Sequence, residues 1–216
     1  MRLARALLAT ILALLLLLGC AREPAPATGE WSDKELRLLR SLNLATLPPA
    51  PASTGNRHAD SAEARRLGAL LFHDPGLSRN GQVACATCHQ PERLFTDGRA
   101  RARGLADLPR HTPTLLGAAW SPWQFWDGRA DSLWAQAVQP LHDPREQGLS
   151  AGKLLQVLRT QYRQPYEQLF GPLPAQATDD HQSRLLFVNA GKTLEAFQRQ
   201  LRPAPNRFDH YLASLD

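Results

Sequence analysis

Two cysteines and a histidine stand where they can do chemistry: Cys85-Ala86-Thr87-Cys88-His89 is a C-x-x-C-H motif. In this pattern the two thiols add to the vinyl groups of a haem. The adjacent histidine reaches the iron from the same short helix, so the spacing follows from the geometry of the macrocycle. C-x-x-C alone also occurs in redox dithiols and in half zinc sites. Here no second C-x-x-C exists and His89 follows at once. The reading is one covalently bound haem c, attached through Cys85 and Cys88, with His89 as the proximal iron ligand.

The opposite axial position is left open by the sequence. The single Met is Met1, which cleavage of a leader removes, so the mature chain by itself cannot complete a His/Met haem. His, Lys, a weaker ligand, water or nothing can take that place. The remaining histidines are His58, His73, His111, His142, His181 and His210. Without a thioether, which raises the potential, a low-potential haem is expected. An open or displaceable sixth position would admit a small oxidant.

The rest of the chain must position this motif. Met1 to Arg5 carry two positive charges, and residues 6–18 are apolar except for Thr10. Such a basic start followed by a short apolar stretch reads as a bacterial export signal, too short for a membrane span of about 20 residues. Leu17-Leu18-Gly19-Cys20 resembles the lipobox of bacterial lipoproteins, which makes Cys20 the lipidated first residue. Residues 1–19 are then the signal peptide. Residues 20–60 form a lipid-anchored segment with a short helix and a Pro-rich linker, and residues 61–216 the folded haem domain. The expected location is the periplasm, tethered to the membrane, the outer one being favoured because Ala21 and not Asp follows Cys20.

Composition agrees with a soluble domain, 43% apolar and 21% charged. Loss of Arg2 and Arg5 lowers the formal charge from +5 to +3, which gives no argument for nucleic acid. Arg99, Arg101, Arg103 and Arg110 nevertheless crowd one loop after the haem motif. They read as a solvated loop, as partners for haem propionates, or as a surface for an acidic electron-transfer partner.

Helical signals are strong and strand signals absent. Ser32-Asp33-Lys34-Glu35 has capping-box spacing. Residues 61–72 read as a helix capped by Ser61 with Leu67, Leu70 and Leu71 inward. Helical patterns return at 130–139, 150–161 and 178–201, the last with Thr178 as cap and Leu185, Leu186, Val188, Leu194 and Phe197 as its stripe. Residues 90–129 show no sustained periodicity, and a haem can supply the core that secondary structure does not. The fold class is mainly α, a cytochrome c-like haem domain with long irregular loops.

The chain resembles the bacterial di-haem cytochrome c peroxidase and MauG-type family. The likeness runs over Leu67-Gly68, Leu71-Phe72, Asp74-Pro75, the haem motif, Phe95-Thr96-Asp97-Gly98, Thr112-Pro113-Thr114-Leu115, residues 125–133, Gln136-Ala137, residues 143–148 and residues 208–212. It implies a distal acid at Glu146 that moves a proton during O–O cleavage, and a distal-pocket glutamine at Gln136. It also implies a tryptophan at Trp126 lying between two haems as an electron relay. Two departures matter. The family's second C-x-x-C-H domain is not found in this chain. An asparagine of the family's calcium site is replaced by His111, which puts the calcium in doubt and makes His111 a candidate sixth ligand.

Three functions compete. One is a peroxidase-like oxidoreductase that reduces hydrogen peroxide with electrons from a small donor protein or from a second haem-bearing chain. Another is a non-catalytic, low-potential electron-transfer cytochrome c with a closed haem. The third, oxidation of a partner protein's side chain as in the MauG branch, stores two oxidising equivalents across two haems and suits one haem poorly.

Overall fold

The computed structural model describes residues 31–177 and 179–215. The expected leader, Cys20 and Thr178 lie outside the described residues. Contacts between Cα atoms divide the described residues into two units, one holding residues 31–47 together with 205–215, the other Pro48–Ala204. Residues 48–60 fall with the larger unit.

In the smaller unit, α1 (Asp33–Ser41) starts with the expected capping box between Ser32 and Glu35. The second helix of this unit, α2 (Arg207–Ala213), is not expected from the sequence and is capped by Asn206. The two segments are joined by the Asp209 carboxylate, which accepts from Leu44 N at 3.0 Å, and by Trp31 Nε1 donating to Tyr211 Oη at 2.6 Å.

The larger unit contains α3 (Ala62–His73), α4 (Cys85–Cys88), α5 (Leu133–His142), α6 (Ala151–Gln161), α7 (Arg163–Phe170) and α8 (Asp180–Gln198). No strand is found among the described residues, only isolated bridges such as Gln90↔Thr96 and Arg103↔Asp107. Ser61, Ser132, Ser150 and Asp179 cap α3, α5, α6 and α8 through their side chains. Pro165 falls in the first turn of α7, where its missing N–H costs no helical bond.

The core is a cluster of Leu67, Leu71, Phe72, Leu77, Leu141, Leu154, Leu158, Leu186 and Leu194. On α3 the buried residues are Ala64, Leu67, Gly68, Leu71 and Phe72, a stripe at helical spacing. Leu70 falls off that stripe and is exposed, contrary to expectation, as is Leu185 on α8. Two glycines set the helix crossings. A Cβ on Gly68 would lie 1.9 Å from the Thr193 carbonyl oxygen, and one on Gly191 would lie 2.7 Å from that of Trp134. Thus α8 runs in backbone contact with α3 and α5.

Residues 48–60 belong to this unit because buried polar groups on α8 hold them. Glu195 accepts from Ser53 Oγ at 2.8 Å and from Asn56 Nδ2 at 2.6 Å. Arg199 binds Asp60 and the Pro51 carbonyl. The long segment before α5 is irregular, as expected. It is fastened by Gly117 N to Leu201 O at 2.9 Å and by Leu105 N to Glu146 O at 3.0 Å.

Candidate functional site

Between α3, α4, α5 and α8 lies a cleft lined among others by Phe72, Cys85, Cys88, His89, Leu115, Gln136, Ala137, Pro140, Glu146, Gln147, Leu194 and Gln198. The C-x-x-C-H motif forms one wall. One helical turn, with Thr87 Oγ1 accepting from Ala84 N at 2.9 Å, turns both cysteines toward the cleft.

Cys85 lies 3.8 Å through its sulfur from Gln147 Oε1, and Cys88 lies 3.5 Å from the Arg103 carbonyl. Burial pushes the Cys85 thiol up to about 12 and raises that of Cys88 as well, where Asp97 and Glu146 add to it. Both are free thiols. Among the described residues no group of three or more His, Cys, Asp or Glu is arranged to hold a bare metal ion.

His89 is held by its second nitrogen. Nδ1 lies 3.0 Å from the Phe95 carbonyl, so Nδ1 carries the proton and Nε2 keeps its lone pair. Burial lowers the pKa of the imidazole, which keeps that lone pair available at neutral pH. The carbonyl is aimed by a strained turn: Leu94 and Phe95 adopt φ of 55° and 59°, each costing roughly 1–2 kcal/mol for a residue with a Cβ. Strain of this kind collects where a structure must hold a functional group in place.

On α5, Gln136 and Pro140 both line the cleft. Pro140 has no N–H to donate, so the helix ladder is interrupted at the Gln136 carbonyl. After α5 the chain turns sharply. Asp143 accepts from Arg145 N at 2.8 Å and pairs with its guanidinium at 2.9 Å. Glu146 N bonds the Asp143 carbonyl at 3.0 Å. The turn is locked against Gly104, where a Cβ would meet Glu146 Cα at 2.8 Å. The Glu146 carboxylate faces the cleft with no hydrogen-bond partner among the described residues. Burial, aided by Asp143, raises its pKa.

The cleft thus brings together Cys85, Cys88, His89, Gln136 and Glu146. It does not include Trp126, which is 74% exposed. Nor does it include His111, which is exposed, its ring edge-on to Trp126 with centroids 6.3 Å apart. His111, the candidate axial ligand, therefore lies outside the cleft in this structure, and Thr112, its neighbour, is the residue turned inward, at 4% exposure. Sequence reasoning missed Gln147, whose Nε2 donates to the Leu77 carbonyl at 2.9 Å, and Gln198 on α8. Pro140, four residues after Gln136, was the one local signal of the interrupted helix.

Among the described residues the buried Gln198 Oε1 has no hydrogen-bond partner, and Gln198 lines the cleft. Orphaned groups of this kind call for a ligand or water. A mostly apolar cleft with paired thiols, the His89 imidazole and polar groups at its margin fits a haem.

The family model for di-haem cytochrome c peroxidase matches residues 62–216. The methylamine utilization protein MauG of Paracoccus denitrificans is 38% identical over 204 residues, covering 82% of this chain and 51% of the relative. The cytochrome c551 peroxidase of Pseudomonas aeruginosa is 30% identical over 164 residues, covering 72% of this chain and 44% of the relative. Among solved structures, a MauG-like protein associated with microbial copper homeostasis superposes with a TM-score of 0.63 at 30% identity, over 79% of this chain and 49% of that one. The chain therefore spans about half the length of such relatives or less. With the family model matched across the whole of its cleft-forming segment, the chain belongs to the di-haem cytochrome c peroxidase family.

Proposed function

We propose that this chain carries one covalent haem c on Cys85, Cys88 and His89 and reduces hydrogen peroxide to water with electrons from a small donor protein or a second haem-bearing chain. The overall reaction consumes one peroxide, two electrons and two protons and yields two waters. The bound haem would supply the iron site through which the donor's electrons reach the peroxide.

The residues around it have separable tasks. His89 presents Nε2, its ring fixed by the Nδ1–H bond to the Phe95 carbonyl, a second-shell bond that also raises ligand basicity. The Gln136 amide orients the oxidant. Glu146 accepts a proton from one peroxide oxygen and returns it to the leaving oxygen, a transfer for which a pKa raised toward the working pH is suited. The observation that carries the proposal is the Glu146 carboxylate, unpartnered and facing the same cleft as the C-x-x-C-H motif. The carrier alternative is weakened because a closed haem needs a second strong ligand, and no other histidine lines the cleft among the described residues.

Trp126, exposed beside His111, suits a relay at the surface facing a partner haem. The basic, apolar leader ending in Cys20 supports a periplasmic, lipid-anchored protein. The test is a haem-stained denaturing gel followed by stopped-flow mixing of the reduced protein with peroxide. Covalent haem lost in Cys85→Ala/Cys88→Ala, and oxidation by peroxide well above the free-solution rate, are expected. Absence of either overturns the proposal.

A further inference from the structure

The segment after the haem motif reads Arg99-Ala100-Arg101-Ala102-Arg103-Gly104, and the structure explains the alternation. Ala102 is buried at 4% exposure and its backbone accepts from Leu108 N at 2.9 Å and donates to the Arg110 carbonyl at 2.8 Å. Arg101 and Arg103, on either side, face solvent. Residues 99–110 contain four arginines against one aspartate, a net +3 in a chain whose formal charge is +5.

Little of that charge is neutralised. Arg103 lies 3.8 Å from Asp107, and both side chains are well exposed, a contact worth little in water. Arg99, Arg101 and Arg110 have no acidic partner among the described residues. Arg99 and Arg103 border a shallow open cleft with Thr87 and Gln90, beside the buried Asp97. The backbone of Arg103 touches the motif directly, its carbonyl 3.5 Å from Cys88 Sγ.

We propose that this arginine loop is the docking surface for an acidic redox protein that delivers electrons to the haem at its Cys88 edge. The inference rests on the haem reading given above. In each event one electron leaves the donor and reduces ferric iron to ferrous, with no atom transferred. An exposed field of one sign, placed beside the redox centre, raises the encounter rate of an oppositely charged partner by roughly 10–10³ and loses that advantage in salt.

The experiment uses the haem-loaded chain and its Arg101→Glu/Arg110→Glu variant, two positions that do not border the cleft. Fully reduced flavodoxin serves as the acidic protein probe and hexaammineruthenium(II) as a small cationic one. Haem reduction is followed by stopped flow at about 0.01 M and about 0.15 M ionic strength, where the Debye length is ~30 Å and ~8 Å. The expected result is a wild-type flavodoxin rate that falls with salt, and a variant rate at least ~10-fold lower at low salt. The ruthenium rate should be equal or higher in the variant, with the haem spectrum and midpoint potential unchanged. Equal flavodoxin rates in the two proteins overturn the proposal. So does a shifted spectrum or potential, which would assign these arginines to the haem propionates. A wild-type chain without covalent haem on a stained gel overturns the haem reading itself, and this inference with it.

Discussion

Replacing Glu146 by Gln keeps the side chain's shape and removes its ability to carry a proton away. If the carboxylate shuttles the peroxide proton, the loss of positioned acid–base catalysis is about 10²–10⁴ in rate, or ~2.7–5.5 kcal/mol at 1.36 kcal/mol per factor of ten. The same substitution has a second consequence with the opposite sign. Burial and the nearby Asp143 raise the folded pKa of Glu146 above its ordinary value. A raised carboxyl pKa favours the fold only while the group is protonated. That contribution is complete below the unfolded value of about 4.3 and is lost as pH rises through the folded value. At pH 7 the charged carboxylate is therefore a cost that glutamine does not have. Glu146→Gln should react slowly with peroxide while melting at the same or a higher temperature at pH 7, with the difference closing near pH 4. In the unmodified protein the peroxide rate should decline as pH falls through the raised pKa, because a protonated carboxyl cannot accept the first proton. Stopped-flow oxidation of the reduced haem protein and thermal melts at both pH values read these quantities. A wild-type rate in the variant refutes the catalytic assignment, and a lowered melting temperature at pH 7 makes Glu146 a structural residue.

Other substitutions test the scaffold. Gly68→Ala places a Cβ 1.9 Å from the Thr193 carbonyl oxygen, so α3 and α8 must part. Overpacking of about 1–3 kcal/mol, at ~2–4 °C per kcal/mol for a chain of this size, should lower the melting temperature by several degrees, and an unchanged melt would contradict the crossing. Glu195→Ala strips the acceptor from Ser53 and Asn56. Denaturant unfolding should show a loss of roughly 1–3 kcal/mol for buried donors left unpaired, and a negligible change would mean that residues 48–60 are not held this way. His111→Ala should leave the haem absorption spectrum untouched, since His111 lies outside the cleft. A change in spin state would restore it as a ligand.

The sequence by itself determined the motif and its chemistry. Cys85, Cys88 and His89 are contiguous, and their spacing is dictated by one turn of helix, so no tertiary information was needed to recognise them. The same holds for two helix starts: Ser32 and Ser61 act locally, each on a backbone N–H three residues away. What only the tertiary structure decided depends on residues far apart in the chain. Gln198 reaches the cleft from the end of α8, and Glu146 is placed by the approach of Gly104 forty-two positions earlier. Residues 48–60 join the larger unit through Glu195 and Arg199, and the last helix joins α1 through Asp209. His111 shows the limit most plainly. Its residue type suited an axial ligand, but a side chain's direction in an irregular loop is set by which neighbour packs inward, and here Thr112 does. Short-range hydrogen bonding and motif geometry are written in adjacent residues; burial is a property of the assembled chain.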